Sequence, residues 1–302
     1  MEKHQKKTNY TLDMGIFPPF GNDHDQNISF CLDTEVYYVA LSAGQIAGQS
    51  PKGIPSAAQL LAVKERYLES GVQLQAITPP RITFEALADK SVWETEMDVQ
   101  KSIIKNMGEA GIPLLHIYVS GVQAPADETE RETYLKRLVD YYRELIGAAE
   151  EAKVRVSTHH YHRPDRLLWN YETMNRVLSE VDSPYNGVTF CFGKSYMAGD
   201  DIESDIHSYE EKIIMVHLRD VQTRLPKGAP SEVEKRLAEM GYLEVQPGRG
   251  EIDLVVAVRA LKRIGYKGQV YPEHYPAIAG DRAAGLAWVI GYFRAMDSLI
   301  SP

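Results

Sequence analysis

The chain is 302 residues long, 44% hydrophobic and 25% charged, with a formal net charge of −9, values that suit a globular protein with a sizeable core. No apolar run approaches the roughly 20 residues needed to span a bilayer, and the acidic balance argues against a general nucleic-acid surface. Cys31 and Cys191 lie far apart without any CxxC, and the basic start MEKHQKKT leads into TLDMGIFPPF rather than an apolar stretch; neither a disulfide framework nor a signal peptide is expected, and the cytoplasm is the expected setting.

In chain order, short β-branched runs alternate with longer amphipathic ones. Strands are expected at Thr11–Phe17, Val36–Ser42, Val72–Thr78, Pro113–Ser120, Val154–His160, Gly187–Phe192, Ile213–Asp220 and Gln269–His274. Between them, SAAQLLAVKERYLESG repeats Leu60, Leu61, Val63, Tyr67 and Leu68 at helical spacing and stops at Gly71. SVWETEMDVQKSIIKNMGEAG offers Ser91 and Glu94 as a capping box and closes at Gly111. ETYLKRLVDYYRELIGAAEEAK and IDLVVAVRALKRIGY supply two further helices, and Tyr141 and Tyr142 in the first of these are expected to serve packing or a dimer contact.

Helix, then glycine, then strand recurs in GVQLQAI, GIPLLHIYV and GYKGQVYPEH, as expected where the chain returns to a parallel strand. Eight alternations favour a closed (β/α)₈ TIM barrel, and no GxGxxG follows the first strand to support a dinucleotide-binding open sheet. Residues 1–302 are read as one barrel domain, with 1–8 as a flexible tail. The connection 222–250, containing SEVEKRLAEMG, is expected over the catalytic face as a lid or oligomer contact.

Catalytic groups of such barrels sit at the C-terminal strand ends. There the fifth strand offers His159, followed by His160 and His162. The sixth offers Cys191, the seventh His217, Arg219 and Asp220, and the eighth Glu273 and His274. Taken singly, Cys191 reads as a small buried hydrophobe and each histidine as structural. Four ligand-type side chains on consecutive strand ends read together as a metal site: His159, Cys191, His217 and Glu273. Imidazole, thiolate and carboxylate suit Mn²⁺, Fe²⁺, Co²⁺ or Zn²⁺ better than Mg²⁺ or Ca²⁺. Arg219 shares its parity with His217, and its fork suits a substrate carboxylate or phosphate; a salt bridge to Asp220 or Glu273 is the competing reading. QPGRGEID could hold an anion on its amides, although a turn leading into a helix at Glu251 or Asp253 is simpler. FPPFG after the first strand is expected to line the mouth of the pocket.

VDSPYNGVTFCFG, IHSYEEKIIMVHLRDV, GEIDLVVAVRALKRIGYKGQVYPEHYP and DRAAGLAWVIGYFRAM resemble the second half of the mannonate dehydratases, within the xylose-isomerase-like barrel superfamily. The resemblance covers about half the chain, and VDSPYNG…C…HLRDV is its most specific part. It implies metal ligands at His159, Cys191, His217 and Glu273, with Mn²⁺ foremost, and an acid/base histidine at His274. It also implies dehydration of an aldonic acid such as D-mannonate to a 2-keto-3-deoxy acid. Arg219, His160, His162, Asp220 and Tyr275 are the candidate substrate-binding residues. Glu273 stands where the family has Asp, and AIAG runs from HYP into DRAAG where the family has a longer loop bearing a catalytic tyrosine, for which Tyr275 or Tyr161 are the nearby candidates. A metal-dependent sugar or keto-sugar isomerase or epimerase is the alternative, and a silent sugar-binding or assembly barrel the third class. A small sugar or sugar acid is the expected partner, with a homodimer or higher homo-oligomer as the expected assembly.

Overall fold

The computed structural model describes residues 12–48, 53–119, 122–225 and 230–302. The expected tail at 1–8, the first residue of the first expected strand, the last of the fourth, and 226–229 of the long connection lie outside the described residues. Ten strands follow in chain order: β1 (Asp13–Ile16), β2 (Tyr38–Ser42), β3 (Gln73–Thr78), β4 (Leu114–Tyr118), β5 (Arg155–His159), β6 (Asn186–Cys191), β7 (Ile213–Leu218), β8 (Asp220–Gln222), β9 (Leu243–Val245) and β10 (Gln269–Pro272). Eight of them close a parallel barrel in the order β1-β10-β7-β6-β5-β4-β3-β2, with β2 returning to β1. Each expected strand is present, shortened at one or both ends except β6, which is shifted one residue towards the N-terminus. β8 and β9 form a separate antiparallel pair, with the helix Ser231–Met240 between them in the chain.

The barrel is a packed core rather than a pore. Ala40, Ala76, Leu114, Ile214, Met215 and Tyr271 fill its interior, mixing small and large side chains as a closed eight-stranded sheet requires. Gly15 is what admits the Tyr271 ring: a Cβ there would fall 2.3 Å from Cζ of Tyr271. A second, larger core lies between the sheet and its helices. Tyr141 and Tyr142 are both fully buried in it, and the Tyr142 hydroxyl shares a 2.9 Å hydrogen bond with Thr158 on β5.

Two local expectations are corrected. The helix expected to start at Ser91 spans Lys90–Ala110 and is capped by Asp89, whose Oδ1 accepts from the amides of Ser91 and Val92 at 2.7 and 3.3 Å. A carboxylate caps as well as a hydroxyl and gains from the positive end of the helix, so the earlier Asp wins over Ser91 and Glu94. In the helix Ala57–Glu69, Leu60 and Tyr67 are buried, but Leu61 and Leu68 are 41% and 52% exposed; the apolar stripe is narrower than the spacing implied. Gly111, as expected, ends its helix in the left-handed conformation. Among the described residues, no helix is long and apolar enough to cross a membrane.

Candidate metal centre

The register of the barrel explains why the candidate ligands meet. On neighbouring strands Cys191 lies beside His217, His217 beside Tyr271, and Tyr118 beside His159. Glu273 follows β10 directly, its amide donating to the Leu218 carbonyl at 3.0 Å. His159, Cys191, His217 and Glu273 each offer one ligand atom, and these atoms all lie within 4.8 Å of one another. Glu273 Oε2 is the hub: His217 Nδ1 is 3.2 Å away, His159 Nε2 3.7 Å and Cys191 Sγ 4.0 Å. Bonds of about 2.0–2.3 Å from a common centre would separate adjacent ligands by roughly 3–4 Å.

The polar atoms support the same reading. Both ring nitrogens of His159 and of His217 are buried without a well-aligned hydrogen bond, although a buried polar atom normally finds a partner. One nitrogen of each ring lies on the space between the four residues, an arrangement that suits a cation. Counting protein groups alone, burial opposes charge on His217, but the carboxylate of Glu273 outweighs it and lifts the imidazole to about 9. Glu273 is held well below the usual carboxylate range: burial works against the charge, and His217 and His159 overcome it. The buried His/Cys/His/Glu cluster therefore points to a metal site, with a donor set of the borderline-soft kind.

Further groups surround it. The Tyr118 hydroxyl donates to Glu273 Oε1 at 3.0 Å. His116 packs its ring 4.9 Å from that of His217; Thr78 Oγ1 lies 3.2 Å from its Nδ1, and its buried Nε2 has no partner. Phe17, from the FPPFG segment, sets its ring edge-on to His217 at 5.6 Å and also touches His116 and Tyr271. His274 is 53% exposed, with Nε2 3.6 Å from Glu273 Oε1 and Nδ1 3.8 Å from Glu244 Oε1. Its φ of 54° is a left-handed conformation that histidine adopts more readily than bulky or β-branched residues.

The other candidates have partners within the protein. The fork of Arg219 is taken by Glu244 on β9: Nε donates to Oε2 at 3.0 Å, one terminal nitrogen donates to Oε1, and the same nitrogen reaches the Tyr242 hydroxyl at 3.2 Å. Its other terminal nitrogen is buried without a hydrogen bond, 3.8 Å from Glu273 Oε2. Arg219 therefore pairs chiefly with Glu244 and, more loosely, with Glu273, one of the two carboxylates expected of it, while Asp220 is engaged elsewhere. Asp220 accepts from the amides of Gly248 and Gly250 on Oδ2 at 2.8 and 2.9 Å, and from Val221 and Ile252 on Oδ1 at 2.9 and 3.3 Å. The amides of QPGRGEID are thus filled by the chain's own carboxylate, and Asp253 caps the helix Leu254–Arg263, in line with the simpler reading. Tyr275 is buried, with the Arg282 guanidinium 5.3 Å above its ring. His160 is buried and bonds the Tyr161 carbonyl through Nδ1 at 2.6 Å; burial holds it near 4 and neutral.

His162 leads to a residue the strand-end argument passes over. Lys194, in the short helix Phe192–Ala198 after β6, is only 5% exposed, and its ammonium donates to His162 Nδ1 at 3.0 Å. The ammonium lies 4.3 Å from the centre of the Tyr161 ring and 5.9 Å from that of Tyr242. A lysine three residues beyond the candidate thiolate, in the buried run FCFGKS, is the available sequence signal. His116 and Tyr118 were legible by the strand-end rule, had it been applied to β4. Glu244 and Tyr242 carry no such signal, because their approach depends on how the long connection folds back.

Comparisons with known proteins agree with this architecture. Residues 41–296 match the family model described as xylose isomerase-like TIM barrel. A mannonate dehydratase of Thermotoga petrophila is 28% identical over 186 residues, 56% of this chain and 49% of the relative; the chain spans about half the length of the curated relatives it matches. Among solved structures, the mannonate dehydratase of Streptococcus suis serotype2 superimposes with a TM-score of 0.72 at 19% identity, over 95% of this chain and 94% of that one. D-Psicose 3-epimerase with D-tagatose from Clostridium cellulolyticum H10 gives 0.68 at 17% identity, over 95% and 97%. The eight-stranded barrel, the match over most of the chain and the distant homology to mannonate dehydratases lead to one assignment: this chain belongs to the xylose isomerase-like TIM barrel family.

Proposed function

We propose that the protein is a metal-dependent lyase that dehydrates a sugar acid, D-mannonate or a related aldonate, to a 2-keto-3-deoxy acid. The observation that carries the proposal is the convergence of His159, Cys191, His217 and Glu273 on one buried space beneath the half-exposed His274. The resident ion is proposed to be Mn²⁺, with Fe²⁺, Co²⁺ and Zn²⁺ as the alternatives for this donor set. A bound divalent cation would polarise substrate oxygens and stabilise negative charge developing beside the carboxylate.

The chain's own groups handle the protons and the geometry. His274 is within reach of solvent and substrate, and is proposed to take the proton from the carbon next to the carboxylate. The electron pair released forms a carbon–carbon double bond as the β-hydroxyl departs as water, taking the proton that His274 removed; the resulting enol tautomerises to the keto acid. Tyr118 and Arg219 hold Glu273 from two sides, one by a hydrogen bond and one by charge, and are positioning residues. His160 stacks beside His159 with ring centres 6.3 Å apart, His162 holds Lys194, and β9 is proposed to border the mouth through Glu244.

A second reading is an epimerase or isomerase of a keto-sugar. It is favoured by the two carboxylates Glu244 and Glu273 flanking His274, an arrangement suited to proton transfer in both directions. Mass separates the two readings. Protein reconstituted with Mn²⁺ and offered aldonates and keto-sugars should convert an aldonate to a product lighter by one water. A product of unchanged mass from a keto-sugar, with aldonates untouched, would replace the lyase by the epimerase.

A further inference from the structure

We propose that Lys194 is the receptor for the substrate's carboxylate, so that the pocket selects acidic over neutral sugars; this rests on the lyase reading above and names the group that would give it its substrate class.

Formal charge around the centre motivates the assignment. A divalent ion would be balanced by the Cys191 thiolate and the Glu273 carboxylate. Arg219 is balanced by the bidentate carboxylate of Glu244. Asp220 is satisfied by four backbone amides. His162 accepts from Lys194 through Nδ1 and is therefore neutral, since two cations would not sit 3.0 Å apart. What remains is the Lys194 ammonium. No carboxylate of the described residues comes within 4.0 Å of its Nζ, although the residue is buried. An isolated buried ammonium is costly unless an anion joins it.

The surroundings of Lys194 hold the ammonium without supplying an anion. Tyr161 and Tyr242 present ring faces, which stabilise a cation without neutralising it. His162 fixes one of its three protons, leaving two to donate elsewhere. Arg219 is near enough for its charge to act on Lys194, as are Cys191, Glu273 and Glu244, so a carboxylate placed there would lie beside the centre. Gly193 lets the Arg219 stem pass close beneath: a Cβ there would fall 2.7 Å from its Cδ. The unbalanced Lys194 ammonium then favours a monoanion over a neutral sugar of the same size.

The test compares binding of D-mannonate with that of its neutral isostere D-mannonamide, by calorimetry on the Mn²⁺-loaded protein with His274→Ala throughout to block turnover, in the parent with wild-type Lys194 and in Lys194→Met, Lys194→Gln and Lys194→Arg. A charge-assisted hydrogen bond in a buried site corresponds to roughly 10- to 100-fold in affinity. The parent should prefer the acid by that factor; Lys194→Met and Lys194→Gln should abolish the preference while leaving mannonamide affinity within about threefold, and Lys194→Arg should keep part of it. A preference that survives in both neutral variants, or a parent that binds acid and amide alike, overturns the proposal. Should Lys194→Met fail to fold, Lys194→Gln carries the same comparison. Because binding is read without turnover, absence of dehydration would sink the lyase reading while leaving the acid preference and its loss to be decided separately.

Discussion

The two ends of the barrel both bury polar side chains, and they differ in what those side chains do. At the N-terminal end, a cavity of ≈ 640 Å³ is lined in part by Gln75, Arg155, Tyr266 and Gln269. Two of its polar groups are satisfied by the protein: the Tyr266 hydroxyl is within bonding distance of the Ile214 and Gln269 carbonyls, at 3.3 and 3.1 Å, and Arg155 donates to the carbonyls of Pro184 and Glu211. At the C-terminal end, the nitrogens of His159 and His217, Nε2 of His116 and one nitrogen of Arg219 are buried without a hydrogen bond. A hollow by itself is therefore no guide, where satisfaction informs. A hollow whose polar lining is paired contributes to the fold, whereas converging orphaned lone pairs mark a place where a ligand completes the structure.

The largest effect should come from breaking the unsatisfied end at its centre. His217→Ala should remove stoichiometric metal and lower turnover by more than about 100-fold, beyond what loss of an outer-shell partner does. Elemental analysis of the purified variant checks the first and a mass-resolved assay the second. Full metal content in His217→Ala would mean that the four residues do not form the site. Tyr118→Phe removes only the hydrogen bond to Glu273 and should weaken metal affinity by about 10- to 100-fold with the fold intact, read by competition with a chelating dye. The smallest effect belongs to the other end. Tyr266→Phe should lower stability by about 1 kcal/mol, seen in denaturant melts, and leave metal content unchanged. A loss of metal in Tyr266→Phe, or none in Tyr118→Phe, would erase the contrast between the ends.

The two ends also differ in how far the chain alone reveals them. The strand positions and the joint appearance of His159, Cys191, His217 and Glu273 are legible because a parallel barrel has a fixed polarity: once strands are found, their C-terminal ends are known. The capping of Lys90–Ala110 by Asp89 was open to misreading, because two good caps stood two residues apart. Leu61 and Leu68 read as core because periodicity gives the direction of an apolar stripe but not the width of the surface it meets.

Sequence by itself determined the barrel, the order of its strands and the four side chains that could share an ion, since these follow from local periodicity and from one rule of polarity. Only the tertiary structure decided the partners. Arg219 went chiefly to Glu244 and only loosely to Glu273, Asp220 went to the amides of Gly248 and Gly250, and Lys194 came to rest among Tyr161, His162 and Tyr242 without a carboxylate. Each of these turns on where residues 242–252 return over the strand ends. Charge pairing acts through space, and no spacing along the chain encodes it.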